Sequence, residues 1–102
     1  MSDLDIEKEI QEKGLTAPRI TPKHIAELIV SEQYYRFPDT TFTVCLLTLK
    51  NGFTVSGESA CASPENFDEV IGMKLAYENA KNKIWQLEGY LLKEKLSNLS
   101  SH

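Results

Sequence analysis

"LTLKNGFTVSGESACASPENFDEVIG", residues 47–72, contains the two transitions that decide the fold. Asn51-Gly52 lies between "TTFTVCLLTLK" (40–50) and "FTVSGESAC" (53–61), both rich in β-branched and aromatic residues. That arrangement is the strongest short-range signal for a β-hairpin. A few residues later Ser63 and Pro64 form a cap-plus-first-turn pair. Glu65, Asp68 and Glu69 then suit the positive end of a helix dipole, so the second strand should run into a helix.

Taking Asn51-Gly52 as a two-residue type I′ turn, Lys50 opposes Phe53. One face then carries Phe42, Val44 and Leu46 with Phe53, Val55, Gly57 and Cys61; the other carries Cys45, Leu47 and Leu49 with Thr54, Ser56 and Glu58. The first strand is apolar on both faces and needs cover on both, from a multi-helix layer or from another subunit. In this register Cys45 opposes Glu58 and Cys61 opposes Phe42. The two thiols would point to opposite faces, too far apart for a disulfide, and are read as reduced.

Working outward, "GLTAPRITP" (14–22) breaks regular structure, and Thr21-Pro22 repeats the cap logic. Ile25, Leu28, Ile29 and Tyr35 suggest a helix over 22–35. On the other side Ile71, Leu75, Ala76, Ala80, Ile84, Leu87 and Leu91 step by threes and fours as the main helix. Gly89 should bend or divide it, with a terminal segment to about Leu96 and a frayed "SNLSSH" tail. The expected architecture is α+β: an antiparallel hairpin or small sheet packed with a preceding helix and a long C-terminal helical region, assembled as a homo-oligomer. Residues 16–102 form one domain, preceded by an acidic segment, 1–15, that is helical or frayed.

At 102 residues, 41% hydrophobic and 25% charged, the composition is that of an ordinary single globular domain. No run of 18 apolar residues is present to span a membrane. The N-terminus is acidic where a signal peptide is basic, so the expected location is the cytoplasm. The net charge is −4, and Asp3, Asp5, Glu7, Glu9 and Glu12 against Lys8 and Lys13 place −3 of it in the first fifteen residues. Binding to duplex nucleic acid needs clustered Lys and Arg, which this chain lacks. A small anion held by a few local cations is compatible with it.

No catalytic arrangement stands out, and no enzyme activity, metal or cofactor is expected. His24 begins a helix with no Cys or acid at ligand spacing, and His102 is the last residue. Ser56 and Ser59 have no histidine at a triad spacing, and no phosphate-gripping glycine loop is present. Features for recognition are better represented. Tyr34, Tyr35 and Phe37 surround Arg36; aromatic rings stack on bases and a guanidinium grips phosphate, although a packed corner with a solvated Arg36 is the plainer reading. Phe67 offers a stacking surface near the start of the main helix. Asn79 is an amide in mid-helix able to read a base edge or ribose, and Lys83 follows one turn later as a further cation; surface positions account for both as well. Trp85 reads as a core or interface residue.

The stretch "NGFTVSGESACASPENFDEVIGMKLAYENAKNKIWQLEGYLL" (51–92), with "TAPRITPKHIAELI" (16–29) before it, resembles a family of small tailed-phage proteins, over about residues 14–96. That family is similar to the Thoeris anti-defence proteins of the first type, phage sponges for immune signalling nucleotides. The resemblance implies a homo-oligomer, a hexamer in such relatives, that binds glycocyclic ADP-ribose without cleaving it. Some members also hold cyclic di- or trinucleotides at separate sites. Two alternatives remain: an acidic inhibitor that docks on a host defence enzyme, and a structural phage protein. Arg36, Phe67, Asn79 and Lys83 are the candidate ligand residues, chosen by chemistry.

Overall fold

The computed structural model describes Lys8 and residues 19–100. Of the acidic segment 1–15 only Lys8 is among them, so the expected domain boundary lies outside the described residues. In order come α1 (Pro22–Leu28), β1 (Ile29–Arg36), β2 (Thr43–Leu49), β3 (Thr54–Ser59), a 3₁₀ turn (Pro64–Asn66) and α2 (Glu69–Ser100). The strands form one antiparallel sheet in the order β1-β2-β3. Among the described residues no helix is long and apolar enough to cross a membrane.

α1 begins as its sequence predicts: the Thr21 side chain accepts from the His24 amide at 3.1 Å, with Pro22 in the first turn. It ends at Leu28, however, and the expected helix over 22–35 is replaced by a strand from Ile29 onward. The β-branched and aromatic side chains of Ile29, Val30, Tyr34 and Tyr35 favour extended backbone, and the open edge of β2 supplies a ladder to satisfy it. Pro38 and Asp39 then turn the chain. The Thr40 amide donates to the Phe37 carbonyl at 3.2 Å, and Asp39 has φ 62°, a type II turn with the left-handed position filled by Asp.

The hairpin is where Asn51-Gly52 puts it, but its register differs from expectation by one residue. Thr43 pairs with Ser59, Cys45 with Gly57 and Leu47 with Val55. A type I′ turn requires positive φ at both central residues; here Gly52 has φ 88° and Asn51 does not share it. Instead the Gly52 amide donates to the Leu49 carbonyl at 2.9 Å and the Leu49 amide to the Phe53 carbonyl at 2.8 Å. This is a three-residue loop, a type I turn closed by a glycine bulge. The slip exchanges the faces of β3, so that Thr43, Cys45, Leu47 and Leu49 share the buried side with Val55 and Gly57. Both cysteines are free, though not through opposite orientation. Cys45 is buried beneath α2 opposite Gly57, whereas Cys61 lies beyond the end of β3, in the wall of a cavity near the start of α2.

α2 packs across β3 and β2. The row it buries is Gly72, Ala76, Ala80 and Ile84, while Ile71, Leu75, Leu87 and Leu91 of the expected apolar stripe are exposed. The approach is too close for bulky side chains: a Cβ on Gly57 would collide with the backbone of Ala76, Asn79 and Ala80. Ser63 and Pro64 open only the 3₁₀ turn, and the Ser63 hydroxyl donates to Glu65 at 2.7 Å instead of capping the helix. The cap of α2 is Asp68, whose Oδ1 accepts from the Ile71 amide at 3.0 Å. From there α2 runs 32 residues, through Gly89 and most of the expected frayed tail, for about 48 Å.

Candidate functional site

Two of the four sequence-derived residues meet at one corner. Arg36 is the last residue of β1, paired in the ladder with Thr43. Its Nη1 donates to the Thr40 carbonyl at 3.0 Å, so the loop that follows β1 holds the guanidinium in place. The 3₁₀ turn holds Phe67 from the other side, through the Phe67 amide and the Pro64 carbonyl at 3.2 Å. As a result the guanidinium carbon of Arg36 stands 5.3 Å from the centroid of the Phe67 ring, a cation–π contact.

The Phe67 ring borders a cavity of about 290 Å3 whose walls include Thr41, Ser59, Cys61, Ile71 and Leu75. Its rim is braced by hydrogen bonds. Thr41 Oγ1 donates to the Cys61 carbonyl at 2.6 Å and accepts from the Cys61 amide at 3.2 Å. Ser59 Oγ donates to the Gly72 carbonyl at 2.6 Å, where β3 meets α2. The corner thus offers a planar ring, apolar walls and a fixed permanent cation. The helix terminus beside it is a poor anion site in its own right, because the Asp68 carboxylate already takes up an amide there.

Asn79 and Lys83 lie elsewhere. Asn79 Nδ2 donates to the Glu58 carbonyl at 2.7 Å, which ties α2 to β3. Lys83 borders a second depression of about 490 Å3 with Phe53, Thr54, Leu87 and Tyr90. Sixteen positions along the chain from Phe67, Lys83 sits about 22 Å along α2 from its start. The chain therefore offers two separate pairs: Arg36 against Phe67, whose ring lines the first cavity, and Asn79 with Lys83 farther along α2.

Strand alternation also divides the aromatic group around Arg36. Tyr34 lies on the α2 side, in a groove of about 580 Å3 with Glu32, Met73, Lys74, Tyr77 and Glu78. Burial, together with the nearby Cys45 and Glu32, pushes the Tyr34 hydroxyl far above its ordinary pKa, so it stays a neutral donor to Glu32 at 3.3 Å. Tyr35 and Phe37 project from the open face, where they meet edge-to-face at 4.9 Å, and Phe42 adds to them at 5.7 Å. Trp85 packs against the core, as its sequence position suggested. His24 is paired with Glu88 at 2.7 Å, remote from the Arg36 corner. Among the described residues no group of three potential ligands could hold a metal ion. The cavity walls Thr41, Cys61, Ile71 and Leu75 were not taken as site residues from sequence; the one available signal was their proximity to Phe67 across the strand-to-helix connection.

The chain belongs to the phage protein (N4 Gp49/phage Sf6 gene 66) family, whose model matches residues 20–96. No curated protein and no solved structure matches it.

Proposed function

We propose that this phage-family protein is a sponge for nucleotide signals of bacterial immunity, binding glycocyclic ADP-ribose, or a cyclic di- or trinucleotide, in the host cytoplasm without cleaving it. The observation that carries the reading is Arg36 held over Phe67, whose ring lines a cavity of about 290 Å3. An adenine stacks on the exposed part of the ring, and the guanidinium takes the pyrophosphate in a fork. Residues 14–96 resemble a small tailed-phage family, and the likeness of that family to anti-defence proteins of the Thoeris type points to the same ligand class.

The mechanism is mass action. A sponge lowers the free signal below the level that activates its effector, and nanomolar affinity corresponds to about −12 kcal/mol. Stacking contributes roughly 1–3 kcal/mol per base, so charge-assisted hydrogen bonds and closure of the pocket must provide most of the rest. Closure is the role assigned to a homo-oligomer, in which Asn79 and Lys83 of another copy approach the ligand. The open sheet face with Tyr35, Phe37 and Phe42 favours a second reading, in which the protein docks on a host defence enzyme or a structural partner.

Calorimetry of the purified protein against glycocyclic ADP-ribose and a cyclic trinucleotide, followed by chromatography of the recovered ligand, tests the proposal. Submicromolar binding with the ligand returned intact is expected. Absence of binding to either ligand would overturn it, and recovery of cleaved ligand would make the protein an enzyme.

A further inference from the structure

α2 packs across β3 and β2, and among the described residues no strand lies on the far side of β1. Along β1 the side chains of residues 30–33, Tyr35 and Arg36 are exposed. Open strand edges are usually blunted by Lys, Pro or bulges. Between the bulge that follows Ile29 and the turn at Pro38, residues 31–37 contain none of these, and their two charges, Glu32 and Arg36, are of opposite sign. The edge at β3 differs: it has Gly57 in mid-strand and one charge, Glu58, with no cation in the strand to meet it.

Which main-chain groups of β1 face outward follows from its last rung. The Phe37 amide donates to the Phe42 carbonyl at 3.2 Å, one step beyond the Arg36–Thr43 pair, so Phe37 turns its backbone groups toward β2. Alternation turns those of Ser31, Gln33 and Tyr35 the same way, and those of Glu32, Tyr34 and Arg36 outward. The side chains of the same three residues lie on the α2 side. Glu32 and Tyr34 line a groove with Met73 and Tyr77, and Arg36 stands over Phe67.

We propose that two copies of this chain pair antiparallel through β1, about a twofold axis at Tyr34, and so join their sheets into one. In that register Glu32 of each copy lies opposite Arg36 of the other, and Gln33 lies opposite Tyr35. The outward groups of Glu32, Tyr34 and Arg36 then meet their counterparts in about six main-chain hydrogen bonds. Neighbouring registers lose the match. An axis at Glu32 or at Arg36 sets like charges face to face, and an axis at Gln33 or Tyr35 leaves both charges opposite uncharged residues. Within its own chain Arg36 gives Nη1 to the Thr40 carbonyl, which leaves Nη2 for the second copy's carboxylate. The pairing gives the homo-oligomer invoked above a defined seam and needs no nucleotide, so it stands or falls apart from the sponge reading.

Light scattering of the full chain at micromolar concentration, without nucleotide, tests it. The variants are Glu32→Arg, Arg36→Glu and the double reversal Glu32→Arg/Arg36→Glu, all at exposed positions, with circular dichroism to confirm the fold. Each single reversal sets like charges opposite one another on both sides of the axis and should halve the wild-type mass, the dissociation constant rising roughly tenfold or more. The double reversal restores opposite charges and should recover the wild-type mass. A monomeric wild type would overturn the proposal and leave the edge to a different chain. So would single variants that keep the wild-type mass, or a double variant as dissociated as the single ones.

Discussion

Gly57 lies directly under the backbone of Ala80, so close that the strand and the helix leave no room for a Cβ between them. The obstructing atoms are main-chain atoms of α2, which cannot rotate away as a side chain could. Gly57→Ala should therefore cost at least the 1–3 kcal/mol typical of overpacking, and Gly57→Val more. For a domain of this size each kcal/mol lowers Tm by roughly 4–8 °C. A Gly57→Ala variant that melts within 2 °C of the wild type (about the scatter of such measurements) would show that α2 does not dock this tightly.

Arg36 and Phe67 are set on different elements, and neither is part of the buried core. If the corner holds a nucleotide, Phe67→Ala and Arg36→Ala should each weaken binding by about 1–3 kcal/mol, near 10-fold to 100-fold. Arg36→Lys should recover only part of the loss, because an ammonium keeps the charge but not the planar fork. Melting temperatures close to wild type are needed to exclude a structural cause. Equal affinity in all three variants would move the site to another part of the molecule.

Arg36 and Phe67 were named for their chemistry, and the fold, not the local sequence, brings them into contact. The hairpin and the long helix were legible because each depends on local chemistry: a glycine that takes positive φ and a row at helical spacing. Three features were not, and each was decided by a partner distant in sequence. Ile29–Arg36 fits a helical stripe over its first residues and becomes a strand because β2 has an edge to fill. The register of β3 turned on whether Asn51 takes a left-handed conformation, a difference of one residue that exchanges every side chain between faces. The expected stripe of α2 holds at Ala76, Ala80 and Ile84, which are buried, but its members Ile71, Leu75, Leu87 and Leu91 are exposed, because the close approach of Gly57 favours small side chains at 76 and 80.

The two turns make opposite predictions. Gly52 has φ 88° with nothing within 4 Å of a new Cβ, so Gly52→Ala is penalised by backbone strain alone, about 1–2 kcal/mol. Asp39 occupies a similar left-handed position at φ 62°, and Asp39→Gly should leave stability unchanged or raise it by a few tenths to about 1 kcal/mol. Urea unfolding midpoints measure both. Destabilisation by Asp39→Gly larger than that by Gly52→Ala would contradict the turn geometry.

Cys45 makes the fold sensitive to alkaline pH. Burial under α2 raises its thiol pKa above the ordinary value, and the hydrogen bond with Tyr34 only partly offsets this; Tyr34 and Tyr77 are raised in the same direction, again chiefly by burial. In the unfolded chain a cysteine loses its proton near pH 8.5 and a tyrosine near 10. Above those values the unfolded state binds fewer protons than the folded one, so unfolding is favoured as pH rises. Stability should thus be independent of these groups below about pH 8 and fall through pH 9 and 10, at up to about 1.4 kcal/mol per pH unit for each group. Cys45→Ala should lower stability at pH 7 by leaving a small cavity, yet make the decline between pH 8 and 10 shallower. Urea midpoints at pH 7, 8, 9 and 10 for both proteins decide the matter: a wild-type midpoint that holds constant to pH 10, or an equally steep decline in Cys45→Ala, would mean that the buried thiol does not govern the alkaline limit.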